Sequence, residues 1–178
     1  MYTSFETYAA HDDTRMFEWI DGTVELLPEL SAEQMRLRDV LLAEIGGFAE
    51  ANGIGLLIAA PFPLRMPEEM RRGREPDLLF VPNVFAETVQ DTYVNSHGVT
   101  LVIEISDHRT RAFDMGVKRD EYQTAGLPEY WIVDADTRTT LCLMLRDGRY
   151  ERAPADDDGL YRPRALRGLA IDLDALWR

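Results

Sequence analysis

Cysteine is almost absent from this chain of 178 residues. The single Cys142 cannot form a disulfide within the chain, so a disulfide framework is excluded. Its position in the alternating run TTLCLML favours a small packed side chain over a nucleophile. A reducing cytoplasm is therefore the environment that we expect.

Long apolar runs are also missing. The longest, near 53–62, is well short of the roughly 20 residues that a membrane-spanning helix needs. The first residues, MYTSFETYAAHDD, are polar and lack a basic region followed by an apolar one, which is the mark of a signal peptide. We expect neither membrane insertion nor secretion.

Internal repeats and low-complexity linkers are not found either. Hydrophobic residues make up 46% of the chain, which suffices for one sizeable core. We therefore expect residues 1–178 to form a single domain.

Positive charge is in short supply, since the formal net charge is −13. This charge weighs against nonspecific DNA binding, because phosphate binding depends on cationic side chains that release counterions. Two segments are basic nonetheless, and we predict that they form a positive rim on one face. The first contains Arg65, Arg71, Arg72 and Arg74, and the second Arg109 and Arg111.

The N-terminal third has strong local signals. Asp21-Gly22 lies between two short apolar runs, which predicts a tight β-hairpin. Ser31 with Gln34 three positions later is a capping-box signature. Apolar residues then recur at helical spacing and predict a helix over 32–51 that ends at Asn52-Gly53.

Apolar runs predict the strands. GIGLLIAAPFPLRM indicates a buried strand that ends or bends at its prolines, followed by a loop rich in Arg and Glu. Further strands are expected at 77–81, VTLVIEIS, EYWIVDAD, TTLCLMLRDG and RYERA, and the tail GLAIDLDALW predicts a last short strand and turn. Residues 83–98 are polar and predict irregular structure with helical turns.

A second main helix is predicted between the strands VTLVIEIS and EYWIVDAD. Thr110 can cap it, and Gly126 with Pro128 can stop it after about 15 residues. The order of elements predicts an α/β domain. Its mixed central sheet is flanked by two main helices and accompanied by the N-terminal hairpin.

The run LVIEISD, 101–107, puts a carboxylate in an apolar strand, where an unpaired charge would cost several kcal/mol. Alternate residues share a face, so Glu104 and Ser106 point the same way. Asp77 begins the preceding strand. If the two strands pair antiparallel, Asp77 lies beside Glu104. Paired carboxylates at a sheet edge are suited to a magnesium ion.

The helix that follows adds a cation. Asp114 and Lys118 are four residues apart and share one face, with Tyr122 one turn further. A short loop joins this helix to the strand of Glu104, so the chain's only lysine is placed near the carboxylates. A cation there can hold the water that attacks a phosphodiester and stabilise the charge that develops.

These residues resemble a known family. EPDLLFV, LVIEISD and the pattern D-x-x-x-K-x-x-x-Y-x-x-x-G-L-P-E-Y-W-I-V-D are similar to the Uma-two-type endonucleases, a bacterial branch of the PD-(D/E)XK nuclease superfamily. The resemblance covers about 18–176 and is most specific over 75–134. It implies a restriction-endonuclease-like core.

The resemblance also implies roles. Asp77 and Glu104 would be the metal-binding acids, with the Ile105 carbonyl as a further ligand of Mg²⁺ or Mn²⁺. Ser106 occupies the place where the superfamily motif has lysine, and Lys118 resembles a migrated replacement that orients water and stabilises charge.

Each of these residues also has a structural interpretation. Asp77 could be a turn residue after Pro76, Glu104 a partner of a buried arginine, and Lys118 a solvated helix residue. Asp114 is favoured in a first turn by the helix dipole. Tyr122 is expected to pack rather than react.

Other polar residues are weaker candidates. The branch often has a histidine where this chain carries Gln34, which is expected in the capping box, and Glu33 beside it is expected to be exposed. Glu18 could approach the site from the hairpin. The spacing of the three histidines indicates no zinc site. They are His11, His97 and His108.

The leading hypothesis is a divalent-metal-dependent endonuclease that hydrolyses DNA, with Asp77, Glu104 and Lys118 as its catalytic residues. One alternative is a catalytically silent binding or regulatory module with the nuclease fold, which the net charge of −13 favours. Another is a nuclease for RNA or branched DNA. A homodimer is plausible, because two sites are needed to cut both strands together.

Overall fold

The computed structural model describes residues 2–178, which form eleven strands and three main helices. The strands are β1 (Phe17–Ile20), β2 (Thr23–Leu26), β3 (Gly55–Ala59), β4 (Leu64–Arg65), β5 (Arg72–Arg74), β6 (Leu78–Pro82), β7 (Val94–Asn95), β8 (Leu101–Ser106), β9 (Glu129–Asp134), β10 (Thr139–Arg146) and β11 (Arg149–Arg152). The helices are α1 (Phe5–Ala9), α2 (32–52) and α3 (111–124). Single 3₁₀ turns occupy Glu68–Met70, Asn83–Thr88, Ser96–Gly98 and Leu173–Trp177.

The strands form two sheets. The larger has the order β11-β10-β9-β8-β6-β3 and is mixed, because β8 and β9 are parallel while its other neighbours are antiparallel. The smaller has the order β2-β1-β5-β4-β7 and contains the N-terminal hairpin. The predicted mixed α/β fold with a central sheet and flanking helices is confirmed.

The hairpin turn is the predicted one. Asp21 and Gly22 both have positive φ, 48° and 89°, as a two-residue turn between twisted strands requires. β1 and β2 then pair in register from Ile20 opposite Thr23 to Phe17 opposite Leu26.

Helix α2 begins at the predicted capping box. The Gln34 amide N–H donates to Ser31 Oγ at 3.2 Å, and the Ser31 amide N–H donates to Gln34 Oε1 at 2.9 Å. The helix is α-helical at Ala32–Leu41 and Gly47–Asn52, with a π-helical turn at Leu42–Gly46 between them. It ends at Gly53, whose φ of 59° is left-handed, so the predicted bounds are confirmed to within a residue.

Helix α3 also has a π-helical turn, Asp114–Lys118, between Arg111–Phe113 and Arg119–Thr124. Thr110 is at the N-cap position, but the predicted capping by its side chain is wrong. The Thr110 side chain makes no capping hydrogen bond, because its hydroxyl oxygen instead accepts from the Asp107 amide at 3.4 Å. Gly126, with φ of 76°, ends the helical segment as predicted.

The core lies on both faces of the larger sheet. Leu101, Ile103 and Ile105 of β8 pack under the apolar face of α2. Val102, on the opposite face of β8, packs with Tyr122 of α3. All six residues of β8 are buried, so Glu104 lies in a strand with protein on both sides.

Two sequence predictions fail. The expected loop rich in Arg and Glu after Met66 contains β5, which pairs with β1 of the hairpin and with β4. Gly73 makes this pairing possible, since a Cβ there would lie 2.7 Å from the Phe5 ring. At the tail, the predicted strand is reduced to a single bridge between Tyr161 and Ile171, followed by the 3₁₀ turn.

Candidate active site

The two predicted acids lie at adjacent strand ends. β6 and β8 are antiparallel, with Leu78 opposite Ile103, and extending this register by one residue sets Asp77 opposite Glu104. Asp77 Oδ2 accepts a hydrogen bond from the Ile105 amide at 2.7 Å. Its second oxygen, Oδ1, is buried and has no hydrogen-bond partner within residues 2–178. The strands thus have the antiparallel pairing on which the expected proximity of Asp77 and Glu104 depended.

Lys118 lies among three carboxylates. Its Nζ is 3.0 Å from Glu104 Oε1, 3.1 Å from Glu18 Oε1 and 3.5 Å from Asp114 Oδ1. Only 5% of its side chain is exposed. The interpretation of Lys118 as a solvated helix residue is therefore wrong.

Two hydroxyl groups complete this cluster. Tyr122 donates to Glu104 Oε1 at 2.7 Å, so it both packs in the core and contacts the candidate site. Ser106 donates to Asp114 Oδ2 at 2.7 Å, so the serine in the motif's lysine position orients an acid instead.

Sequence reasoning gave too little weight to Glu18 and missed Arg74. Both side chains are almost fully buried, and they form an ion pair with each other. Arg74 also binds Glu121 of α3, with 2.6 Å between Nη2 and Oε2. The available signal was local: Glu18 is a lone acid in the strand FEWI, and Arg74 directly precedes the Glu-Pro-Asp run.

Gln34 approaches the candidate metal ligand Ile105. Its Nε2 donates to the Ile105 carbonyl at 2.6 Å, while its Oε1 accepts from Ser31 and, at 3.2 Å, from Arg109. The capping box therefore orients Gln34 toward the site. Glu33 points elsewhere, at the surface, and pairs with Arg36.

Burial dominates the electrostatics of the acids. It raises the pKa of Asp77 to about 6, against the lowering effect of the Ile105 hydrogen bond. It raises the pKa of Glu104 to about 8, although the nearby Lys118 ammonium lowers it. Burial alone would lower the pKa of Lys118, but the surrounding carboxylates raise it well above its ordinary value, so this lysine stays charged.

A cleft of about 250 Å³ opens onto this cluster. Its polar lining includes Asp77, Glu104, Asp114 and Lys118. Its apolar lining comes from the hairpin, from the approach to α2 and from α3. These apolar residues are Met16, Leu27, Pro28, Leu30 and Phe113.

The predicted positive rim is wrong, because all six of its arginines form ion pairs with acids. Arg109 pairs with Asp107 two positions away, whereas the other five arginines pair with acids that are distant in sequence and that a sequence window does not reveal. The pairs are Arg65–Glu6, Arg71–Asp21, Arg72–Glu121, Arg74–Glu18, Arg109–Asp107 and Arg111–Asp134.

Other candidate ligands do not converge. Across residues 2–178, no group of three or more His, Cys, Asp or Glu side chains has a metal-holding arrangement. Cys142 is buried in the core, as expected, and burial raises the pKa of its thiol. Within residues 2–178, no helix is long and apolar enough to cross a membrane.

A solved structure shares this architecture over almost its entire length. It is the crystal structure of "a putative nuclease belonging to DUF820" from Anabaena variabilis ATCC 29413, with a TM-score of 0.74. The match covers 97% of this chain and 98% of that one at 13% sequence identity, so the likeness is one of fold. The two proteins thus share one α/β fold.

The family follows from the sequence profile. The Uma2 family, described as "Putative restriction endonuclease", matches residues 3–174, and the chain belongs to this family. A comparison with curated proteins found no match. Family membership supports a nuclease function.

Proposed function

We propose that this protein is a divalent-metal-dependent endonuclease that hydrolyses phosphodiester bonds in DNA. Asp77, Glu104 and the Ile105 carbonyl would hold Mg²⁺ or Mn²⁺, and Lys118 would act beside them. The proposal combines the family's description with the chemistry of the buried cluster.

The observation that carries the proposal is an excess of buried carboxylates. Glu18, Asp77, Glu104 and Asp114 are each no more than 3% exposed. The buried cations among them are Lys118 and Arg74. Isolated buried charge is costly, so an arrangement with more acids than bases favours a bound cation.

The donor set fits a hard cation. Asp77 Oδ1 is buried without a partner, which is the state expected of an oxygen reserved for a ligand. Magnesium commonly takes one or two carboxylates and keeps several waters, so a three-acid cluster is not required. The Ile105 carbonyl already accepts from Gln34 and has a second lone pair to offer.

The residues divide the chemical work between them. A cation bound at this site would polarise the phosphate and lower the pKa of an attacking water. Lys118 keeps its proton, so it supplies positive charge and hydrogen-bond donors rather than acting as a base. It would orient water and stabilise charge developing on the phosphate oxygens. Tyr122 restrains Glu104 by its hydrogen bond, and Ser106 restrains Asp114.

The paired arginines bear on how DNA would bind. With no unpaired arginine in the expected rim, the attraction to phosphate must come from the metal site and from groups outside that rim. A homodimer would supply two such sites and allow both strands to be cut. We propose a homodimer because one active site can cut only one DNA strand at a time.

The test is to incubate the purified protein with several labelled nucleic acids. The set contains duplex DNA, single-stranded DNA, branched DNA and RNA, each with Mg²⁺, with Mn²⁺ and with a chelator. We expect cleavage of DNA that requires the metal. Cleavage that persists in the chelator would contradict the metal-dependent mechanism. Cleavage of RNA and not of DNA would contradict the proposed substrate and identify the protein as a ribonuclease.

A second candidate is the catalytically silent module. The net charge of −13 and the ion-paired arginines favour it, since both weaken nonspecific DNA binding. The retained cluster of Asp77, Glu104 and Lys118 favours the enzyme. Absence of cleavage on every nucleic acid in the test would support the silent module.

A further inference from the structure

Within residues 2–178, Glu18 is the partner of Lys118 that comes from the smaller sheet. It lies on β1, and its Oε1 is 3.1 Å from Lys118 Nζ. Glu104 and Asp114, the other two partners, belong to β8 and α3. Within residues 2–178, the smaller sheet therefore pairs with Lys118 through one buried carboxylate, which is 2% exposed.

The Glu18 carboxylate is itself held through its second oxygen, the one that does not contact Lys118. Its Oε2 binds Arg74, which is 1% exposed and belongs to the neighbouring strand β5. Arg74 is in turn fixed by Glu121, at 2.8 Å from Nε and 2.6 Å from Nη2, and lies 5.1 Å over the Phe113 ring. A guanidinium bound on two sides has little freedom to move.

The backbone under Glu18 is also restrained. Trp19, the next residue, packs in the apolar cluster of α1 and pairs with Gly73 of β5. Glu18 thus projects from a paired strand on the face opposite to Trp19. The position of its carboxylate is determined by its own strand and by Arg74, which also binds Glu121 on the helix that carries Lys118.

Lys118 needs such a restraint. Lysine has a flexible four-carbon stem and a compact ammonium that can hydrogen bond in many directions. Asp114 lies on the same helix, at 3.5 Å, and Glu104 is proposed as a metal ligand. When Glu104 binds a cation, its hold on the ammonium weakens, because the two positive charges compete for one carboxylate.

We propose that Glu18 is a positioning residue for Lys118. Braced by Arg74, it holds the Lys118 ammonium at the candidate active site from the side of the smaller sheet. The inference rests on the proposed function for its catalytic consequence. Its structural part, that Glu18 fixes the ammonium, stands or falls independently of cleavage.

The single lysine makes a direct test possible. Protein grown on ¹⁵N-labelled lysine contains one labelled side chain, so NMR reports on the Lys118 ammonium alone. In the parent protein we expect one sharp ammonium signal, because the group is buried and paired. Glu18→Gln keeps the side-chain shape but removes the charge, and it should shift or broaden that signal. The same variant should lower kcat by about 10- to 100-fold, the range for groups that orient a metal site.

Two further variants separate positioning from general stability. Glu121→Gln removes one carboxylate from Arg74 and none from Lys118, so it should lower the melting temperature while shifting the ammonium signal less than Glu18→Gln does. Glu18→Asp keeps the charge but withdraws it by one carbon, so it should shift the signal less than Glu18→Gln does. It also serves as the deciding variant if Glu18→Gln does not fold.

The outcomes are distinct. An ammonium signal that stays unchanged in Glu18→Asp and Glu18→Gln overturns the proposal, and so does an equal shift in Glu121→Gln. A shifted signal with unchanged kcat in an active parent overturns the positioning role. Parent protein that cleaves no nucleic acid contradicts the proposed function, and the signal then still decides whether Glu18 fixes the ammonium.

Discussion

At the scale of single residues, Glu104 shows how a carboxylate is tolerated inside an apolar strand. One of its oxygens receives the Lys118 ammonium at 3.0 Å and the Tyr122 hydroxyl at 2.7 Å. The ion pair and the hydrogen bond offset part of the desolvation of the acid, although burial still raises its pKa to about 8. The strand therefore carries an ionisable group that an unpaired position would exclude.

Substitution of Lys118 is the first residue-scale prediction. Lys118→Ala removes a charge-stabilising donor and should lower cleavage by about 100-fold or more. Lys118→Arg should also be impaired, because a planar guanidinium does not fit a site built around a compact ammonium with three carboxylates within 3.5 Å. The measurement is plasmid cleavage in Mg²⁺ by the parent and both variants.

Stability must be controlled in this comparison. Lys118→Ala leaves buried carboxylates without their cation, and breaking a buried pair costs about 3–5 kcal/mol. Cleavage is therefore measured at a temperature where circular dichroism shows both variants folded. Equal activity of the parent and Lys118→Arg would return Lys118 to a purely structural role.

Asp134 gives a pH-dependent prediction. Partial burial alone would raise the pKa of Asp134, but hydrogen bonds from Arg111 and Thr137 lower it from 3.8 to about 2. A folded-state pKa below the unfolded value stabilises the protein above about pH 4, and this contribution is lost as the pH falls toward 2. Asp134→Asn should therefore destabilise the protein at neutral pH and not at the acid end.

At pH 7, Asp134→Asn should lower the free energy of unfolding by about 1 kcal/mol. This is a small value for charged hydrogen bonds, because the Arg111 pair is partly exposed to solvent. Urea unfolding from pH 7 down to about pH 2 measures it. Asp136→Asn is the matched control, since Asp136 is 46% exposed and should contribute little. If Asp134→Asn is less stable than the parent by the same amount at every pH, the ion pair with Arg111 is not the cause of the difference.

At the scale of elements, the capping box of α2 links helix stability to the candidate site. Ser31 caps the helix through Gln34, and the same Gln34 side chain reaches the Ile105 carbonyl. A local sequence motif thus also sets the orientation of a residue at the site. The helix start and the end of β8 are joined through one side chain.

Ser31→Ala tests the cap. Loss of the side-chain acceptor at a helix N-cap costs about 1 kcal/mol, so the free energy of unfolding should fall by that amount. Ser31→Asp preserves an acceptor oxygen and should retain most of the stability. Chemical denaturation of the three proteins measures both effects. Equal stability of Ser31→Ala and the parent would mean that α2 does not depend on its cap.

Elements with local signals were predictable from the sequence. The Asp21-Gly22 turn and the bounds of α2 follow from turn chemistry and helical periodicity, whereas the antiparallel pairing that sets Asp77 opposite Glu104 entered the sequence analysis as a condition. Strands β4 and β5 have only two and three residues, and their pairing depends on Gly73 packing against α1. No local sequence pattern predicts the contact of Gly73 with α1.

The candidate site was predictable to the same extent. Asp77, Glu104 and Lys118 lie on consecutive core elements, so the order of the chain brings them together. Glu18 of the smaller sheet reaches Lys118 of α3 over a separation of one hundred residues, and the ion pairs of the arginines other than Arg109 depend on similar contacts between distant residues. These features depend on tertiary packing that sequence spacing does not encode.

At the scale of the whole molecule, charge governs how the protein meets nucleic acid. The net charge is −13, and the six arginines that could have formed a cationic surface are bound to acids. Counterion release from phosphate is the main source of nonspecific affinity, and these six paired arginines contribute less to it than free arginines would.

Duplex binding without divalent cations should therefore be weak. We expect a dissociation constant at the weak end of the nonspecific range, about 10⁻⁴ M, with little dependence on salt. Fluorescence anisotropy of a labelled duplex in chelator, repeated at several salt concentrations, measures both quantities. Micromolar binding with a steep salt dependence would reveal a cationic surface elsewhere on the protein.

The central claim is that Asp77, with Glu104, holds the cation used for phosphodiester hydrolysis. Its most direct test is DNA cleavage in Mg²⁺ by the parent and by Asp77→Asn, prepared in parallel and both verified as folded. Asparagine keeps the shape but loses the charge of the ligand. Because even outer-shell changes cost metal sites about 10–100-fold, we predict that Asp77→Asn cleaves at least about 100-fold more slowly than the parent. Parental activity in Asp77→Asn would contradict the account.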